Sequence, residues 1–118
     1  MTPFGAKLRE LRRVKGVSQK EMAAALGVSA AYLSSLEHGR RGLPSWAMVQ
    51  KIIGYFNVIW DEADELEKLA ASSDPRVVID TAGLSPNATA LANKLAQRIS
   101  LLSDDDFTAI AAVLERQP

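Results

Sequence analysis

Gly16, Gly27 and Gly39 cut the first forty residues into three short helical segments, and this punctuation constrains the fold more than any other feature of the chain. Thr2 followed by Pro3 opens the first segment. Thr serves as the N-cap, and Pro takes the first helical position, where a missing N–H costs nothing. Phe4, Leu8, Leu11 and Val14 then fall on one helical stripe. Gly16 ends it, since glycine accepts the left-handed conformation at a helix C-terminus. Ser18-Gln19-Lys20-Glu21 has the form of a capping box and starts a second helix that runs to about Leu26. Gly27 stops that helix, Ser29 caps a third from Ala30 to about His38, and Gly39 closes it. Two short helices joined by a tight glycine turn form a helix-turn-helix when their crossing is close and fixed. Ala23 is small where the second helix must approach the third, and Gly27 permits a positive φ. Val28, Leu33 and Leu36 supply apolar anchors beneath the third helix.

Downstream, the pattern predicts a fourth helix after Ser45, with Trp46, Val49, Ile52, Ile53 and Phe56 facing the core and Asn57 as its stop. A fifth, acidic helix runs from Trp60 to roughly Ala71. The breaker Ser72-Ser73-Asp74-Pro75 marks the expected boundary between residues 1–72 and residues 73–118. Arg76-Val77-Val78-Ile79-Asp80 is β-branched and reads as extended, a candidate short strand. Ser85-Pro86 opens another helix with Ala88, Ala92, Leu95, Ile99 and Leu102 on one stripe. Ser103 with Asp106 resembles a second capping box, and Phe107, Ile110, Ala111 and Leu114 form the last stripe. The expected class is all-α: five compact helices, a linker and two more helices.

The formal net charge of zero hides a division. Residues 1–58 hold nine Lys/Arg against three Glu, while residues 59–118 hold five basic against eleven acidic residues. A basic half suits phosphate, and an acidic half implies a different partner. Several classes are excluded or disfavoured. No apolar run of 18 or more residues is present, so no membrane span is expected. The absence of Cys removes disulfide and thiolate chemistry, and the N-terminus lacks the form of a signal peptide, so a cytoplasmic protein is expected. His38 is the sole histidine, so no His/Cys metal cluster exists. The carboxylates at 61–65 and 104–106 fit acidic first turns of helices. With no Ser/His/Asp arrangement and no phosphate-cradling glycine loop, no enzymatic activity, metal or cofactor is expected.

Gln19, Ala23, Gly27, Val28, Ser29, Leu33, Ser34, Leu36, Glu37 and Gly39 resemble, in register, the phage-repressor (Cro/XRE) helix-turn-helix family. The resemblance covers residues 3–70 and implies a five-helix, lambda-repressor-like domain with a C-terminal helical extension. It further implies that the third helix enters the major groove of double-stranded DNA with its N-terminal residues towards the bases. Carried over, the base-facing positions are Ala30, Ala31, Ser34 and Ser35, with Tyr32 at the backbone or groove wall. The family often places Gln, Asn or Arg there, and those long side chains are absent here. Alanine methyls pack against thymine methyls, and a serine hydroxyl donates or accepts without selecting one base sharply. Ala and Ser thus favour close approach, and DNA shape and half-site spacing carry much of the specificity. The family pattern also implies a structural ion pair between Arg12 and Glu37.

Phosphate contacts are expected from Gln19 and Ser29 at helix starts, and from Lys15, Lys20, His38, Arg40 and Arg41 around the motif. Arg40 or Arg41 could also reach inward to a base or the minor groove. One such motif covers only a half-site, so a homodimer on a palindromic operator is expected. Its interface would use Leu95, Ile99, Leu102, Phe107, Ile110 and Leu114. The reading is a sequence-specific transcriptional regulator acting as a repressor. The alternative is an antitoxin-like interaction module whose acidic C-terminal half binds a protein partner and whose DNA binding is autoregulatory.

Overall fold

A computed structural model of the chain describes residues 1–40 and 43–116. The elements are α1 (Pro3–Lys15), α2 (Gln19–Leu26), α3 (Ala30–His38), α4 (Trp46–Phe56), α5 (Trp60–Ala71) and α6 (Pro86–Arg98). A 3-10 turn (Ile99–Leu101) and α7 (Asp104–Glu115) complete them. No strand occurs among the described residues, so the chain is all-α. No described helix is long and apolar enough to cross a membrane.

Local chemistry accounts for most helix ends. Thr2 Oγ1 accepts the Gly5 N–H at 3.0 Å. Ser18 and Glu21 form a reciprocal capping box, as do Ser103 and Asp106. Ser29 and Ser45 cap α3 and α4. Gly16, Gly27 and Gly39 close α1, α2 and α3 in the left-handed conformation, and Asn57 does the same for α4 at φ 54°.

The helices of the first unit, Met1–Val77, wrap one core. Phe4 and Leu8 of α1, Met22 and Ala23 of α2, Leu33 and Leu36 of α3, Val49 and Ile52 of α4, and Leu66 of α5 are all buried there. Each large side chain so enclosed stabilises the fold by about 1.5–3 kcal/mol. Trp46 does not join them. At the first position of α4 it is 75% exposed, and Met48 takes the inward place beside Val49 and Ile52. Val14 is likewise exposed, because the stripe of α1 passes beyond the core after Leu11.

The first unit extends five residues past the boundary expected at residue 72. Ser73 is buried, where its Oγ accepts the Phe4 N–H at 3.0 Å and its hydroxyl donates to the Leu69 carbonyl. That hydrogen bond satisfies a helix-start N–H left without an intrahelical partner. Pro75 lies against Gly39. The breaker therefore ends α5 without ending the packed unit.

The second unit begins at Val78. The candidate strand at 76–80 does not form: Arg76 lies in a bend, residues 77–80 adopt no regular secondary structure, and none has a pairing partner among the described residues. The stripe drawn through Ile99 and Leu102 is broken, since α6 ends at Arg98 and the chain tightens into the 3-10 turn. No residue from 78 to 116 is buried. Leu95 and Leu102 are half-buried, while Ile99, Phe107, Ile110 and Leu114 are exposed.

Candidate nucleic-acid interface

The α2–α3 pair meets the geometric demand of a helix-turn-helix. Gly27 turns the chain at φ 75°, and the Val28 N–H donates to the Ala23 carbonyl at 3.0 Å, closing the turn. Ser29 Oγ accepts the Tyr32 N–H at 3.0 Å and starts α3. That cap uses the oxygen as an acceptor, so the hydroxyl hydrogen can still serve a phosphate oxygen.

The angle of α3 is set from below by α1. An added Cβ at Gly5 would lie 1.8 Å from the carbonyl oxygen of Glu37, so the two backbones touch. Thr2 donates to the same carbonyl through its N–H at 3.3 Å. Beside this contact the Glu37 side chain, whose residue is 1% exposed, gathers three donor groups. Arg12 Nε donates to Oε1 at 3.1 Å, and Arg12 Nη2 stands 3.0 Å from Oε1 and 3.3 Å from Oε2. Gln19 Nε2 donates to Oε2 at 3.1 Å. One carboxylate thus joins the first helix, the start of the second and the end of the third. Among the described residues, no buried side-chain nitrogen or oxygen lacks a hydrogen-bond partner.

Above this base, Ala30 and Ala31 are exposed, and Tyr32, Ser34 and Ser35 are half-exposed, with Tyr32 packed on the core edge. Lys20 and Arg40 are exposed. The Arg40 N–H donates to the Ser35 carbonyl at 3.0 Å, which holds its backbone to the end of α3. His38 is exposed, and its Nδ1 donates to the Ser34 carbonyl at 2.8 Å, leaving Nε2 as the outward atom. Arg41 lies outside the described residues.

Two expected phosphate ligands are placed differently. The Gln19 carboxamide turns to Glu37 instead of standing outward, because the buried carboxylate offers a charge-assisted bond. Lys15, exposed, is drawn towards α4. Its Nζ donates to the Tyr55 carbonyl at 2.7 Å and sits 4.2 Å from the Tyr55 ring centroid, so α4 supplies both a carbonyl and a π-face to the ammonium. On the outer flank of α1, Arg13 pairs with Glu10 at 2.6 Å. That hydrogen bond holds the Glu10 carboxyl below its ordinary value and raises Arg13.

Sequence reasoning missed Gly5, Thr2 and Ser73 as supports of the interface. The sequence signal for Gly5 was not specific: an isolated glycine inside a helical run costs stability, and Gly54 shows the same pattern with no neighbour against it. Among the described residues, no group of three His, Cys, Asp or Glu side chains could hold a metal.

Comparison with known proteins agrees with this geometry. A family model described as a helix-turn-helix domain matches residues 3–66. The chain is 38% identical over 61 residues to the uncharacterized HTH-type transcriptional regulator RghRB of Bacillus subtilis, covering 52% of this chain and 44% of that protein. It is 38% identical over 65 residues to the uncharacterized HTH-type transcriptional regulator YazB of the same organism, covering 55% of this chain and 93% of that protein. It is 40% identical over 52 residues to the HTH-type transcriptional repressor RghR, also of B. subtilis, covering 44% of this chain and 38% of that protein. The chain thus spans less than half the length of two of these relatives. It belongs to the helix-turn-helix domain family, the fold of XRE-like DNA-binding transcriptional regulators.

Proposed function

We propose that the protein regulates transcription as a homodimer that lays α3 of each copy into the major groove of a palindromic operator. The observation that carries this reading is the start of α3, with Ala30 and Ala31 exposed and Ser34 and Ser35 half-exposed, standing on a support built from Gly5, Arg12, Gln19 and Glu37. Methyl and hydroxyl groups at these positions suit close approach to thymine methyls and base edges. Lys20 and Arg40, with Arg41 beside them in the sequence, supply charge for the phosphates, and Ser29 supplies a hydroxyl.

Pairing is supported by the second unit. The apolar side chains of Leu95, Ile99, Leu102, Phe107, Ile110 and Leu114 are half-buried or exposed in a single chain, and a second copy would cover them. Repression is supported by the relative named as a transcriptional repressor, and occupying an operator is enough to block polymerase.

Arg40→Ala should weaken binding to every duplex alike and reduce the slope of log affinity against log salt by about one unit. A titration series between 50 and 200 mM salt, concentrations over which phosphate-driven binding falls steeply, measures it. An unchanged slope removes Arg40 from the interface. Selection of bound sequences from random duplexes tests the whole reading. It should return a palindrome with half-sites about 10–10.5 base pairs, or a multiple, apart. Enrichment of a single unpaired half-site would oppose the dimer, and a stoichiometric protein co-purifying on the C-terminal half would favour the interaction module instead.

A further inference from the structure

Between α5 and α6 the chain carries three consecutive β-branched residues that stand exposed. Val77, Val78 and Ile79 are 74%, 92% and 58% exposed. Their backbone makes no hydrogen bond to another described residue. Exposed main chain with open N–H and C=O groups and β-branched side chains, which favour the extended conformation, is a template for strand pairing. The residues that bracket it carry opposite charge, Arg76 before and Asp80 after.

That bracketing selects a partner and a register. If the segment pairs with a second copy of itself in antiparallel sense about Val78, Arg76 falls opposite Asp80 of the other copy, and this happens at both ends. Val77 then falls opposite Ile79, and Val78 faces its own counterpart on the axis. Parallel, in-register pairing would instead set Arg76 against Arg76 and Asp80 against Asp80, which is destabilising. We propose that residues 76–80 form an antiparallel two-stranded ribbon across the two-fold axis of the dimer, with Val78 on that axis. The proposal rests on the homodimer reading above and adds an element to it.

The hydrogen bonds already made agree with one phase of this register. The Arg76 N–H donates to Asp74 Oδ1 at 2.9 Å, so it is occupied. With Val78 in a non-hydrogen-bonded pair, the ladder uses the N–H and C=O of Val77 and Ile79, which are open, and not the N–H of Arg76. The same phase places the Arg76–Asp80 pairs in non-hydrogen-bonded positions, where opposing side chains come closest. Asp80 Oδ1 accepts the Ala82 N–H at 2.9 Å, and a carboxylate has a second oxygen for a guanidinium. Val77 and Ile79 of both copies then form one apolar face. A ribbon this short is marginal alone, so it depends on the helical contacts of the same dimer.

The chain has no cysteine, so Val78→Cys introduces its only thiol. Opposed residues of a non-hydrogen-bonded pair have Cα atoms about 4.5 Å apart, within disulfide range. Mild oxidation of full-length Val78→Cys should give a cross-linked dimer at least about tenfold faster than Val77→Cys, whose counterpart lies on a diagonal of about 7–8 Å. In sedimentation, the Arg76→Asp and Asp80→Arg chains should each dimerise about tenfold more weakly than the parent, since two attractive pairs become repulsive. Mixed together, these two chains should prefer each other, because both cross-strand pairs regain opposite sign. All four positions are exposed, so folding is not at stake. A dimer in which the two cysteine variants cross-link equally slowly, and charge reversal changes nothing, overturns the ribbon and leaves the helical dimer standing. A chain that sediments as a monomer in every form overturns both.

Discussion

Replacing Gly5 with alanine lowers the melting temperature by at least about 8–16 °C, while replacing Gly54 with alanine raises it slightly. Both glycines sit inside helices, and both gain up to about 1 kcal/mol of helix propensity from the change. What differs is the neighbour. A Cβ at Gly54 meets nothing within 4 Å, so the gain stands alone. A Cβ at Gly5 lies 1.8 Å from the Glu37 oxygen, 2.6 Å from its carbonyl carbon and 2.7 Å from its Cα. These are backbone atoms, which cannot rotate aside as a side chain would. Relief requires α1 to withdraw from α3, and that motion pulls the Thr2 N–H from the Glu37 carbonyl. Overpacking of this kind costs about 3 kcal/mol, the upper end of its usual range. The net loss of at least about 2 kcal/mol converts to the stated shift at about 4–8 °C per kcal/mol. Thermal denaturation of the two variants side by side measures it, and equal melting points would mean that α1 does not press on α3.

Glu37→Ala has the second large effect, a loss of about 3 kcal/mol together with weakened DNA binding. Breaking a buried pair by removing one member costs about 3–5 kcal/mol, since the other charge is left uncompensated. The lower end applies because the Arg12 side chain is 15% exposed and can reach water. Replacing both partners with apolar side chains, Arg12→Met with Glu37→Leu, should recover most of the stability, as such swaps often do. Gln19, half-exposed, then returns its carboxamide to solvent. If the pair acts only by holding α3 at its angle, the double variant recovers DNA affinity along with its melting point. Recovery of melting without affinity would make Arg12 a direct phosphate ligand.

How much of this was legible in the sequence follows the range of each interaction. Helix limits in the first forty residues were readable because caps are local: Ser18 with Glu21, Gly27, Ser29 and Gly39 each act within a few positions. The all-helical class followed from the same signals. Periodicity marked the stripes of α1 and α4 but not where the core ends along them, so Val14 and Trp46 were read as inward and stand in solvent. The supports of α3 were hidden for another reason. Ser73 reaches the start of α1 across 69 positions, and Gln19 reaches Glu37 across 18. No spacing rule connects such residues. Lys15 shows the same limit from the other side, since its basic character was plain and its capture by Tyr55 was not.

Backbone amide shifts of the labelled protein, titrated with its selected operator duplex at low salt, test the central claim most directly. The largest changes should fall on Ala30 to Ser35, with smaller ones at Ser18 to Lys20 and at Arg40, and added salt should reverse them all. Silence of the amides at 30–35 in the presence of duplex, or changes confined to residues 78–116, would contradict an α3 that reads DNA.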